Sequence, residues 1–150
     1  KNLTAILKAI KNSESKFISR GDDSGTHKME LALWLQADET PQNFSVNWYW
    51  EVGAGMGAVL NIASELSAYV ISDRASWLNF GRKGDLDILF EGDEELFNQY
   101  SYLPISKVKY PNIAYKNARL VEDWLVSSKA GYLMQNYKIR GQNLFFPNSK

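Results

Sequence analysis

Lys16-Phe17-Ile18-Ser19-Arg20-Gly21-Asp22-Asp23-Ser24-Gly25-Thr26-His27 is the stretch on which the reading of this chain turns. Lys16 to Ser19 is short and β-compatible, and Arg20 to Gly25 has the turn chemistry of a strand-to-helix loop. From Thr26 to about Ala37 the spacing predicts a helix, with Met29, Ala32, Leu33 and Leu35 as its apolar positions. Asp23 or Ser24 is its natural N-cap.

Working outward, Leu3, Ile6, Leu7 and Ile10 mark one face of a preceding helix, with Lys8 and Lys11 opposite. On the other side, Asp38 to Asn47 reads as a loop containing Pro41. Trp48-Tyr49-Trp50 then enters a second glycine-rich turn, Gly53-Ala54-Gly55-Met56-Gly57. A helix follows it, with Met56, Val59, Leu60 and Ala63 at helical spacing. Ala68-Tyr69-Val70-Ile71-Ser72 reads as a buried strand, and Asp73 to Leu78 as a further turn into helix. Leu86 to Phe90 and Tyr100 to Val108 are expected strands, the second limited by Pro104. Ala114, Ala118, Val121 and Leu125 define another amphipathic helix. Tyr132 to Ile139 is a shorter one, before a tail from Gly141 to Pro147. Strands alternating with helices predict an α/β fold with a mainly parallel sheet. No internal repeat is visible.

Composition narrows the function classes. With 150 residues, 45% of them hydrophobic and 13% aromatic, the chain can bury one core or two small lobes. Lys plus Arg balances Asp plus Glu at 17 each. That argues against nucleic-acid binding, which needs surplus cations, and against polybasic membrane attachment. Cysteine is absent, which removes disulfides, thiolate catalysis and Cys-type zinc sites. No apolar run approaches the roughly 20 residues of a membrane span. No signal peptide is visible either; a secreted protein would carry its address upstream, and the start reads as truncated.

Ser19 to His27 carries the strongest local chemistry. A helix N-terminus offers unpaired N–H groups and partial positive charge, and a glycine lets the backbone approach a ligand closely. Ser24 and Thr26 add hydroxyl donors, and Arg20 adds a fixed cation. These are the parts of an anion cradle. The same residues also fit a capped helix whose Arg20 pairs with Asp22 or Asp23, and chemistry alone leaves the two readings level.

Ser19 to His27, followed by Glu30-Leu31-Ala32-Leu33-Trp34, resembles the tungstate-binding proteins of ABC transporters. The likeness continues through Trp48-Tyr49 with Gly53 to Ala58, and through Ala68 to Leu78, where Ala75-Ser76 replaces the family's Gly-Thr. Glu91-Gly92-Asp93 with Leu96, Asn98 and Tyr100, and Gly141-Gln142 with Leu144 to Pro147, extend it over residues 16 to 150. The resemblance implies a periplasmic-binding-protein-like fold of two α/β lobes that close on a tetrahedral oxyanion. It implies that residues 1–98 form the second lobe and that 99–150 return to the first. It further implies an extracytoplasmic location, a membrane permease as partner, no cofactor and binding without catalysis. Tungstate is the implied ligand, with molybdate indistinguishable by motif. Arg20, Ser24 and Thr26 carry over first as ligands, with Ser19 and the Gly25 backbone beside them. The family's threonine/serine-rich loop of the first lobe has no counterpart here, so 150 residues are expected to supply about half of the shell.

Asp22 and Asp23 cannot donate to an oxyanion unless protonated. Asp22 is expected to orient Arg20 or cap the helix; it could also accept the proton of hydrogen phosphate, and similar Arg-x-Asp-x-Ser-Gly-Thr spacing resembles phosphate-binding proteins. Phosphate or sulfate is therefore the alternative ligand, and a sensor or enzyme on the same fold the more distant one. Gly55 and Met56 open a second helix near the cleft, or serve close packing; the spacing is not that of a dinucleotide fingerprint. Arg74 is either a second cationic ligand or the partner of Asp73 or a nearby carboxylate. His27, the single histidine, has no nucleophile-elbow context and reads as a helix-surface residue. Arg20-Gly21-Asp22 spells an adhesion tripeptide that recurs by chance. The tryptophans Trp34, Trp48, Trp50, Trp77 and Trp124 read mostly as core. Asn2-Leu3-Thr4 and Asn43-Phe44-Ser45 are glycosylation sequons only in a secreted eukaryotic protein.

Overall fold

A computed structural model describes residues 2–148, which divide after Phe97 into two compact units. The first unit opens with helix α1 (Leu3–Asn12), capped by the Asn2 side chain. Strand β1 (Phe17–Ser19), helix α2 (Gly25–Gln36), strand β2 (Tyr49–Glu51), helix α3 (Met56–Leu66), strand β3 (Tyr69–Val70) and helix α4 (Arg74–Asn79) follow. The strands form a parallel sheet of order β2-β1-β3, with Phe17 in register with both Tyr49 and Tyr69.

The central strand shows why the sheet is covered on both faces. Phe17 points into a cluster with Leu3, Leu7, Ile10, Leu33, Trp34, Ala37, Trp48 and Tyr49, supplied largely by α1 and α2. Ile18, one residue on, points the opposite way into Met56, Val59, Leu60 and Ala63 of α3. The chain leaves β1 for one neighbour through α2 and then reaches the other through α3. Right-handed crossovers running in opposite directions put their helices on opposite faces. The first cluster is aromatic: the Phe17 and Tyr49 rings stack at 5.7 Å, and Trp34 meets Phe17 edge-on at 5.3 Å.

Pro41–Asn43 forms a 3-10 turn inside the expected loop. Two expected strands are absent. Leu86 to Phe90 and Tyr100 to Val108 are irregular, and Leu103 and Val108 are 83% and 97% exposed. An apolar run becomes a strand only beside a partner for its ladder, and none lies beside these among the described residues. Tyr69 of β3 is 38% exposed, so β3 is a partly covered edge strand rather than the expected buried one.

The second unit holds α5 (Tyr115–Leu125), α6 (Ser128–Asn136) and a hairpin of β4 (Lys138–Ile139) with β5 (Gln142–Asn143). Arg140 and Gly141 close that hairpin with φ of 51° and 79°, the two left-handed residues a tight two-residue turn requires. No helix among the described residues is long and apolar enough to cross a membrane.

Candidate oxyanion site

All three parallel strands end at one edge of the sheet, and the loops after them carry the residues of interest. In open α/β sheets this carboxyl edge is where ligands bind. The loop after β1 is tied to the end of β2 by backbone bonds: Val52 N–H donates to Ser19 O at 3.1 Å and Ala54 N–H to Arg20 O at 3.2 Å. Gly21 has φ +59°, and a Cβ there would stand 2.8 Å from Glu51 Cβ. Only glycine fits this contact and conformation together.

Within the loop, Arg20 is gripped by Asp22. Its Nε donates to Asp22 Oδ1 and Oδ2 at 3.2 and 3.1 Å, and its Nη2 to Oδ2 at 2.5 Å. Both side chains are about four-fifths buried, at 18% and 20% exposed. Asp22 Oδ1 also accepts from Ser24 N–H at 3.2 Å. Led by the Arg20 hydrogen bond, these donors hold the Asp22 carboxyl well below the usual carboxylate range. Asp22 thus fixes the guanidinium rather than capping the helix. Ser24 is the N-cap of α2, its Oγ accepting from His27 N–H at 3.3 Å. The N–H groups of Gly25 and Thr26, at the first turn, have no intrahelical partner by position. Asp23 is at φ 58° and its carboxylate reaches exposed Lys28 at 3.3 Å.

Beneath the loop lies a polar group enclosed by aromatic core. Glu30 is 2% exposed and accepts from Tyr49 Oη at 2.7 Å. Burial raises its pKa, against the opposing pull of the Tyr49, Ser19 and Trp34 donors and of His27. Ser19 is fully buried. The Ser19 hydroxyl and the Trp34 indole N–H have no partner in ordinary hydrogen-bond geometry. Both nevertheless favour the ionised form of Glu30. Burial, and then the Glu30 charge, push the Tyr49 phenol far above its ordinary value.

The remaining expected residues fall in different places. Gly55 is the N-cap of α3, whereas Met56 is 5% exposed and packs into the core on the α3 face. Arg74 begins α4 and pairs with Glu91, while Asp73 caps that helix by accepting from Ser76 N–H at 2.8 Å. Trp34 and Trp48 are core, Trp77 is packed against the α3 cluster, and Trp50 and Trp124 are 41% and 47% exposed. His27 is not a surface residue: its side chain is 11% exposed, with Nε2 3.3 Å from Glu51 Oε1 and Nδ1 accepting from Asp23 N–H at 3.1 Å. The apolar positions Met29, Ala32, Leu33 and Leu35 predict a different inner face for α2, one that gives Glu30 no buried role. The buried stripe is Glu30, Leu33, Trp34 and Ala37, at i, i+3, i+4 and i+7, and Leu35 is 69% exposed. The signal in the sequence is the acidic residue's place in that periodic pattern. Among the described residues no group of three or more His, Asp or Glu is placed to hold a metal ion.

The chain is 43% identical over 150 residues to the tungstate-binding protein TupA of Peptoclostridium acidaminophilum, covering 99% of this chain and 51% of that one. In structure it is similar to the tungstate-binding protein TupA of Desulfovibrio alaskensis G20, with TM-score 0.80, 34% identity and coverage of 99% and 61%. It is also similar to a tungstate ABC transporter protein of Geobacter sulfurreducens, with TM-score 0.76, 38% identity and coverage of 91% and 57%. The chain spans about half the length of the curated relatives it matches. The resemblance read from the loop and its companion segments is therefore met by relatives along nearly all of this chain. The sequence model described as the PBP superfamily domain matches residues 1–129, and with the parallel sheet and its ordered edge loops this chain belongs to that family.

Proposed function

We propose that the chain is the anion-holding part of an extracytoplasmic solute-binding protein that captures a tetrahedral oxyanion, tungstate or molybdate, for an ABC-transporter permease. The observation that carries this reading is Arg20, clamped by Asp22 beside the first turn of α2 at the carboxyl edge of the sheet. A guanidinium has five N–H groups; Nε–H and one on Nη2 are engaged by Asp22, and the others remain for an anion. The Gly25 and Thr26 N–H groups, the Thr26 hydroxyl and the proton of the Ser24 hydroxyl complete the donors on this side. The residues assigned to the anion are Arg20, Ser24, Gly25 and Thr26; Ser19, expected beside them, is fully buried and supports the loop from below. Asp22 positions Arg20. The names of the relatives support tungstate as the ligand class and transport as the purpose.

On this reading residues 1–98 are the second lobe and 99–150 the return to the first, and closure of two lobes strips water from the anion. The work is binding and release, without a chemical step. Phosphate would need a carboxylate to accept its proton, and both oxygens of Asp22 already serve Arg20 and Ser24. The site geometry therefore favours the unprotonated dianion.

Isothermal titration of the full-length protein with tungstate, molybdate, sulfate and phosphate tests the assignment. Arg20→Ala removes at least two charge-assisted bonds and is expected to weaken tungstate binding about 100-fold or more. Unchanged affinity, or a preference for phosphate that follows its protonation, overturns the proposal.

A further inference from the structure

Two residues of the loop after β1, Gly21 and Asp23, have left-handed backbones, with φ of +59° and +58°. Glycine adopts this conformation freely; aspartate tolerates it better than most residues, which lose about 1–2 kcal/mol, and does so with the help of local hydrogen bonds. Asp23 therefore needs something to hold it. Its carboxylate does little, since it is 87% exposed and meets a Lys28 that is 64% exposed. Its backbone N–H is the handle, donating to His27 Nδ1 at 3.1 Å. A ring nitrogen that accepts carries no proton, so the neutral imidazole has its N–H at Nε2. That atom is buried, without a partner in ordinary hydrogen-bond geometry, and the Glu51 carboxylate lies 3.3 Å away. Glu51 in turn presents its Cβ to Gly21, at the start of the same loop.

We propose that His27 is a positioning residue for the anion site: its ring, held between the Asp23 N–H and the Glu51 carboxylate, locks the loop from Gly21 to Ser24 in the form that presents Arg20 and the first turn of α2. The inference rests on the reading of this loop as an anion cradle. The near end of the loop is already fixed by the Val52 and Ala54 amides on Ser19 and Arg20. His27 fixes the far end. It sits one residue beyond Thr26, with Nε2 3.3 Å from Glu51 Oε1. Its contribution is to keep the Asp22 clamp and the Ser24 cap in register, so that the anion meets donors already in place.

Asparagine and glutamine separate the two ring nitrogens. Asn places an amide oxygen where Nδ1 stands, whereas Gln reaches toward the Nε2 position and leaves the Asp23 N–H without an acceptor. Titrated with sodium tungstate in the full chain, His27→Asn is expected to keep affinity within about threefold. His27→Gln and His27→Ala are expected to lose about tenfold or more, one hydrogen bond's equivalent. Equal affinities of the Asn and Gln variants, or an Asn variant as weak as Ala, overturn the lock. A ligand-free measurement keeps this separate from the anion reading: 15N shifts of the His27 ring are expected to show Nδ1 as the unprotonated nitrogen. A proton on Nδ1 refutes the lock whether or not tungstate binds, while failure of the unsubstituted protein to bind any oxyanion refutes the cradle instead.

Discussion

Aromatic residues before Phe97 and after it are placed very differently. Phe17, Trp34, Trp48 and Tyr49 are all at most 6% exposed and touch one another. Tyr100, Trp124, Tyr132 and Phe146 are between 47% and 76% exposed, and among the described residues after Phe97 only Ala130 is buried. Helix α5 is as clearly amphipathic in sequence as α1, yet α1 buries Leu3, Leu7 and Ile10 and α5 buries nothing. An apolar stripe states which face a helix offers; a second layer decides whether that face is covered. The first unit supplies its own layers on both sides of β1.

Truncating one tryptophan in each unit should separate the two regions most widely. Trp34→Ala opens a cavity at the centre of the aromatic cluster and is expected to cost about 3–5 kcal/mol in urea unfolding. Trp124→Ala is expected to fall within about 0.5 kcal/mol. A large loss at Trp124 would mean that its face is covered in solution.

Gly21→Ala is expected to cost about 1–3 kcal/mol, since it forces a left-handed alanine against Glu51 Cβ. The equivalent change at Gly131, where an added Cβ meets nothing, is the control. Equal effects on the unfolding midpoint would remove the claim of a tight contact between the loop and β2.

Glu30→Gln tests the buried polar group of the first unit through pH. A carboxyl whose folded pKa is raised by burial favours the fold while protonated. Its contribution is complete below the ordinary carboxylate range and is lost as pH rises through the raised value. Stability of the native protein, relative to Glu30→Gln, should therefore fall across that window. A difference that stays flat with pH would show that the Tyr49 hydrogen bond and its neighbours fully offset burial.

Most helices and the central strand were legible in the sequence because each carries a local signal; the last helix runs over Ser128–Asn136 rather than 132–139, and Lys138–Ile139 turns into a hairpin strand. Leu3, Leu7 and Ile10 recur at helical spacing, and Ser24 caps α2 as its side chain predicts. The strand-to-helix loop was legible through glycine and hydroxyl residues that suit few other conformations. Leu86–Phe90 and Tyr100–Val108 misled because apolar runs resemble strands, while pairing depends on what lies alongside. The site was read only in part. Arg20, Asp22 and Ser24 act within six residues of sequence, so their partnership could be anticipated. Glu30 with Tyr49, and His27 with Glu51, join residues 19 and 24 apart, and no local pattern announces such pairs.

The clamp of Asp22 on Arg20 also bears on timing. A guanidinium on a mobile stem loses about 0.5–1.5 kcal/mol of rotamer freedom when a ligand immobilises it. Here that loss is taken during folding, before any anion arrives. Arrival then requires no search by the side chain, and differences among anions should appear in how long each stays. Fixing the cation before binding thus shifts discrimination among anions from arrival to departure.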